Sequence, residues 1–149
     1  GQTLESLAED LLFFKSLPVD MAGIGPFIPH PDTPLCKESA AGHLELSLKM
    51  MAVMRLMLPD INIPATTAME TLHPQGRLMA LQCGANVIMP NVTAETFSRN
   101  YELYPGKPHP AASAATAWKE PLASIGRTVS DGYGFHGDYL KANPGRLTF

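Results

Sequence analysis

An α/β fold built on a small parallel sheet is predicted by three observations: short apolar stretches that end in glycine, threonine or asparagine, helix-patterned stretches that separate them, and a length suited to one domain. The chain has 149 residues, 45% hydrophobic and 17% charged, and a domain takes about 100 to 200 residues. Strands that alternate with helices favour parallel pairing, because each crossover helix covers a sheet face and returns the chain in the same direction.

Leu4, Leu7, Ala8, Leu11 and Leu12 recur at helical spacing while Glu5, Glu9 and Lys15 lie off the stripe. Residues 4–16 are therefore predicted as an amphipathic helix, with Thr3 as its N-cap. Pro18 interrupts it. Residues 19–25 are mostly apolar, with Gly23 and Gly25 near the end, which suits a buried strand emptying into a loop. In that loop Pro26, Pro29, Pro31 and Pro34 fix φ and remove donors, giving a stiff connection.

Over residues 44–58 the apolar side chains nearly encircle the axis, leaving a polar stripe through Glu45, Lys49 and Arg55. A heavily buried helix follows, with Glu45 and Lys49 at the favourable i, i+4 spacing. Its Met50, Met51, Met54 and Met57 are read as gap-filling core side chains in preference to an adaptable binding groove. Pro59 and Asp60 end it, and residues 61–69 read as a second short strand with Thr66 and Thr67 at its polar tip. His73-Pro74 opens another helix, and Gly84 after Leu78, Leu81 and Cys83 suits a left-handed C-terminal cap. Residues 85–91 form the third strand, and Thr93 can cap a helix carrying Phe97 and Tyr101. Beyond Lys107 come Pro108, Pro110, an alanine-rich run over 111–118 and a glycine-rich end. Little there can be buried, so a loosely ordered tail is expected over 108–149.

The composition removes several classes of function. A net charge of -3 gives no basic face for nucleic acid, and no run of about 18 apolar residues or basic leader indicates a membrane span or signal peptide. Cys36 and Cys83 are too few for the disulfide framework of a small secreted domain, so free thiols and a cytoplasmic location are expected. The chain opens on Gly1 and enters a helical pattern almost at once, which points to further chain upstream.

Neither a dinucleotide fingerprint, a P-loop, HExxH nor an EF-hand is present. His30, Asp32, Cys36 and His43 offer nitrogen, oxygen and sulfur donors. Their spacing matches no recurrent zinc pattern, and a rigid polar loop is the simpler reading, so neither a metal site nor a catalytic residue is expected. In a parallel α/β sheet, open or closed into a (β/α)8 barrel, ligands collect at the carboxyl ends of the strands. Residues 25–34, 66–71 and 89–91 would share that end. Thr66, Thr67, Asn91, Tyr101 and Tyr104 are the polar candidates there, although local turn or cap bonds explain the first three equally well and aromatic packing is the simpler reading of the two tyrosines.

Three segments carry a resemblance: Gly23-Ile24-Gly25-Pro26-Phe27-Ile28-Pro29-His30-Pro31-Asp32-Thr33-Pro34, Ile63-Pro64-Ala65-Thr66-Thr67-Ala68-Met69 and Gly84-Ala85-Asn86-Val87-Ile88-Met89-Pro90-Asn91. With the trailing Tyr101-Glu102-Leu103-Tyr104-Pro105-Gly106-Lys107, they resemble the HydE-like radical S-adenosylmethionine enzymes of [FeFe]-hydrogenase maturation, relatives of biotin synthase. The likeness spans roughly residues 1–107. It implies a partial (β/α)8, TIM-type barrel: about three parallel βα units from the C-terminal, biotin and thiamin synthesis associated (BATS) region, followed by the tail.

The resemblance also implies S-adenosylmethionine and a [4Fe-4S] cluster in the parent enzyme, the cluster splitting the sulfonium to a radical that attacks a small substrate. By matching positions, Gly25, Pro26, Phe27 and Ile28 lie against the adenosine, and Thr66, Thr67, Met89, Asn91, Tyr101 and Tyr104 line the substrate cavity. The family's CxxxCxxC loop is absent from these residues, and thiolate ligation of a cluster needs several cysteines together. Two functional readings result. One is a C-terminal piece of a HydE-like enzyme, inactive alone and holding neither cofactor by itself. The other is a stand-alone non-catalytic binding or assembly domain. Open sheet edges predict self-association into a homo-oligomer, or pairing with the missing N-terminal barrel half.

Overall fold

The computed structural model describes residues 2–38, 42–90, 93–98, 106–107, 115–130, 134 and 141. Helix α1, Leu4–Ser16, begins where expected, with the Thr3 hydroxyl accepting from the Ser6 amide. Its inward face is Leu7, Leu11 and Phe14. Leu4 and Leu12, placed on the same stripe by the sequence pattern, are exposed. A short α2, Leu35–Glu38, lies in the proline-rich loop, and α3, Leu44–Met57, follows. Met51 and Met54 of α3 are fully buried, as core packing requires. The outer face of α3 is less covered than its composition predicts, with Leu56 84% exposed.

Three extended segments run through this helical layer. Asn62 N donates to Asp20 O at 2.9 Å and Ala22 N to Asn62 O at 3.0 Å, a parallel bridge of Met21 with Asn62. Val87 N donates to Ile63 O at 3.2 Å and Ala65 N to Val87 O at 2.8 Å, a parallel bridge of Pro64 with Val87. The second segment therefore lies between the first and the third. Helices connect them in the chain, and the architecture is α/β with parallel pairing.

The expected strands are shorter than the sequence pattern suggests: among the described residues each pairing is one isolated bridge. The chain itself limits them, because Pro64 has no amide to donate and prolines follow Gly25. The second segment also stops early. Thr66 is the N-cap of α4, Thr67–Leu72, so Thr67, Ala68 and Met69 are helical and not the end of a strand. Here the buried Met69 side chain is covered by a helical turn. After His73 and Pro74, α5 runs Gly76–Gln82, two residues later than His73-Pro74 predicts. Gly84 has φ +119, the left-handed cap expected of it.

Side chains alternate between the two faces of such a sheet. Ala22, Ile61, Ile63 and Ala65 face the helices and are buried with α3 and α5 residues in one core. Met21, Asn62 and Pro64 point to the opposite face by the same alternation.

After α6, Glu95–Ser98, the next described elements are a 3-10 turn, Ala115–Trp118, and α7, Lys119–Ser124. This part of the tail is packed and not loose. Trp118, Leu122 and Ile125 join the core, and their i, i+4, i+7 spacing supplies the apolar face that the alanine run lacks. Arg127 Nη2 donates to Leu81 O at 3.0 Å. Among the described residues, no helix is long and apolar enough to cross a membrane.

Candidate functional site

The two bridges fix a register that extends to the carboxyl ends of the segments. Met21 opposes Asn62, so Gly23 opposes Pro64 and Gly25 opposes Thr66. Contacts bear this out: a Cβ placed on Gly23 would stand 3.5 Å from Pro64 Cγ, and one on Gly25 would stand 2.6 Å from Thr66 Oγ1. Pro64 opposes Val87, where that pairing ends, and Met89 comes next on the same face of the third segment. Gly25 and Thr66 thus stand side by side in one row, on the face away from the helical core, with Met89 beyond Val87 on that face.

Thr66 is the polar member of that row. Its Oγ1 is buried yet has no hydrogen-bond partner in the protein, an uncommon state for a buried hydroxyl. As N-cap its side chain makes no capping bond to α4. Gly25 lets the Thr66 side chain pack against its backbone, where the Cβ of any other residue would strike the hydroxyl. Met89 is 57% exposed. Thr67, half-buried in the first turn of α4, has its carbonyl bonded by the Thr71 hydroxyl at 3.3 Å.

Of the candidate adenosine-facing residues, Pro26 is buried, Ile28 half-buried and Phe27 exposed. Gly42 N donates to Phe27 O at 2.7 Å, and Gly42 lies so close to Pro26 and Phe27 that a side chain there would strike their backbone. That contact fixes the loop. On the helix side, Gly25, Pro26 and Phe27 wall a cavity of about 650 Å³ against Leu7, Phe14 and Met50. Thr66, Thr67 and Met89 do not line it. Gly25 thus belongs both to the row and to the wall of this cavity. Asn91, Tyr101 and Tyr104 lie outside the described residues.

The loop donors are engaged locally: His30 Nδ1 accepts from the Asp32 amide at 3.1 Å, and Cys36 is exposed. Among the described residues, no group of three or more His, Cys, Asp or Glu side chains could hold a metal ion. Cys36 and Cys83 are the two thiols of the whole chain, one short of a CxxxCxxC set, so the donors do not fit a [4Fe-4S] cluster. What the row offers a nucleoside ligand is one hydrogen-bonding atom, the unpartnered Thr66 hydroxyl, beside a glycine that lets the two segments approach closely.

Missed by pattern reading were Gly23, Pro64 and Val87, the next row of the same face. Only a known register groups them, and composition carries no such signal.

The comparisons with known proteins agree with the resemblance in the three segments. The family described as Biotin and Thiamin Synthesis associated domain matches residues 24–116. The chain is similar to the [FeFe] hydrogenase maturase subunit HydE of Thermotoga maritima, 60% identical over 107 residues, which is 72% of this chain and 30% of that protein. It is also similar to the 3-methylornithine synthase of Methanosarcina acetivorans, 33% identical over 88 residues, 59% of this chain and 24% of that one. The chain spans less than a third of either relative.

Proposed function

Because this chain belongs to the Biotin and Thiamin Synthesis associated domain family, we propose that it is the C-terminal part of a HydE-like radical S-adenosylmethionine enzyme, lining part of the cofactor and substrate chamber. In this reading, residues 1–107 are the last βα units of a (β/α)8 barrel and 108–149 a C-terminal tail, in a cytoplasmic protein. The observation that carries it is the close approach of Gly25 to Thr66, whose hydroxyl is buried and unpartnered. The row lies at the carboxyl end of parallel segments, where α/β enzymes bind ligands.

S-adenosylmethionine, when bound with the cluster of the parent enzyme, supplies the radical chemistry. This chain's residues bind and shape. Gly25 and Pro26 bring backbone groups to the adenosine, with Phe27 and Ile28 beside them, and Gly42 holds that loop in place. Thr66 offers a hydroxyl whose hydrogen bond a ligand would complete, and Thr67 and Met89 wall the cavity with Asn91, Tyr101 and Tyr104. The cluster ligands would come from residues other than these 149, so the chain alone is expected to be inactive. Among the described residues the first and third segments pair only with the second. Each keeps an edge for the N-terminal barrel half or, in isolation, for a second copy.

Anaerobic reconstitution of the protein that carries these residues in frame with a cysteine triad, assayed for reductive cleavage of S-adenosylmethionine, tests the reading. Cleavage that falls at least tenfold in Gly25→Val supports it. Full cleavage in that variant removes the row from the site, and a reading frame that starts beside Gly1 without any triad favours a stand-alone binding domain.

A further inference from the structure

A second cavity, of about 270 Å³, lies between α5, the third extended segment and the tail. It shares no residue with the row described above, although Ile88 and Pro90 flank Met89 in the chain. Its walls are largely apolar: Leu81, Ile88, Pro90, Trp118, Leu122 and Val129. One charged side chain, Arg127, lines it, and no acidic side chain does. Arg127 gives one N–H to the Leu81 carbonyl at 3.0 Å. A guanidinium has five N–H donors, and the others have no partner among the described residues. Beside it on the same wall is Thr128, exposed and hydroxyl-bearing.

The positive charge here is not neutralised by the lining. Arg55, whose guanidinium lies nearby, is held below its ordinary pKa first by burial and then by the charge of Arg127, with Asp60 opposing. A mostly apolar pocket with one cation on its exposed rim, a hydroxyl next to it and no carboxylate is complementary to a small molecule with an apolar body and an anionic head. The cavity lies just under the usual size range for ligand sites, about 300 to 1,000 Å³, which limits the ligand to a small one.

We propose that this cavity is a binding site for a small amphipathic carboxylate, its apolar body against Trp118, Leu122 and Ile88 and its carboxylate on Arg127 and Thr128. The tail would then form one wall of a ligand site that shares no lining residue with the cavity beside the proposed cofactor loop. This proposal does not depend on the radical-enzyme reading.

Trp118 is the single tryptophan of the chain, so its fluorescence reports on the cavity. The 149-residue chain is titrated with hexanoate, with neutral hexanamide and with inorganic phosphate. The expected result is a saturable change with hexanoate, binding at least tenfold weaker for hexanamide, and no saturable change with phosphate. Arg127→Gln should lower hexanoate affinity to that of hexanamide while the far-ultraviolet circular dichroism is retained. If that variant does not fold, Val129→Phe, which fills the cavity from an exposed position, should abolish the response. Equal affinity for hexanoate and hexanamide, an equal response to phosphate, or no saturable response at all would overturn the proposal.

Discussion

The Arg55 guanidinium of α3 donates from Nη2 to Oδ1 of Asn86 at 3.0 Å, tying the third extended segment to a helix thirty-one residues earlier. The same side chain reaches Gly84 O at 2.9 Å, Pro59 O at 2.7 Å and Ile61 O at 2.7 Å. Asn86 passes the link onward, its Oδ1 accepting from Ile63 N at 2.8 Å and its Nδ2 donating to Asn62 Oδ1 at 3.0 Å. One residue thus organises the amino ends of the second and third segments. Hydrogen bonds to charged groups contribute about 1.5 to 3 kcal/mol each, not additively. Arg55→Leu should therefore destabilise the chain by about 3 kcal/mol or more in urea unfolding. Arg55→Lys should recover less than half, because a single ammonium cannot span these acceptors as the planar fork does.

Gly76 sets the distance between α4 and α5. A Cβ there would run into the carbonyl of Met69, which lies in a fully buried residue. Beside it Arg77 Nε lies 2.8 Å from Glu70 Oε2. No hydrogen bond to Nε is formed, so the contact is an ion pair with poor alignment. The guanidinium also stacks 5.3 Å from the Trp118 ring. Gly76→Ala gains about 1 kcal/mol of helix propensity, against an overpacking cost of about 3 kcal/mol. A net loss of about 2 kcal/mol is expected, with faster amide exchange along Thr67–Leu72 in the variant. Unchanged exchange there would show that the helices adjust freely.

How much of this was legible in the sequence depended on the range of the interaction. Helix α1 and its Thr3 cap are local, and so were read correctly. The left-handed Gly84 was legible for the same reason. The end of the second segment was misread, because β-branched Thr66 and Thr67 fit a strand tip and a helix start equally well, and burial of Met69 decided for the helix. The packing of residues 115–125 is not legible in the alanine-rich run, which has little to bury until Trp118, Leu122 and Ile125 are counted on one face. Gly25, Thr66 and Met89 are each legible residue by residue, but only the bridge of Met21 with Asn62 shows that Gly25 and Thr66 align.

Two exposed carboxylates should titrate below the ordinary value of 4.5. The Glu5 carboxyl is lowered first by its own backbone amide and then by the Thr3 hydroxyl. The Glu45 carboxyl is lowered by a hydrogen bond from Lys49 and then by its charge, in agreement with the Lys49 Nζ to Glu45 Oε1 distance of 2.7 Å. Since the folded pKa lies below the unfolded one, both contributions are fully present above pH 4.5 and are lost as pH falls through the folded value. Carboxyl NMR titration should show Glu45 moving up in 1 M salt, where an exposed ion pair is screened, while Glu5 moves less. In Thr3→Ala, Glu5 alone should rise.

Thr66 should separate stability from binding. A buried hydroxyl without a partner costs about 1 to 3 kcal/mol relative to one that is bonded, and Thr66 Oγ1 has none. Thr66→Val keeps the shape and removes the orphaned atom, so the isolated chain should become about 1 kcal/mol more stable, seen as a higher thermal midpoint. If the hydroxyl exists to meet a ligand, the same change should weaken S-adenosylmethionine or substrate binding by the parent enzyme about tenfold, the equivalent of roughly 1.4 kcal/mol, and Thr66→Ser should restore it. A destabilised Thr66→Val chain would mean that the hydroxyl is satisfied within the fold, and the argument that places a ligand on this row would lose its main support.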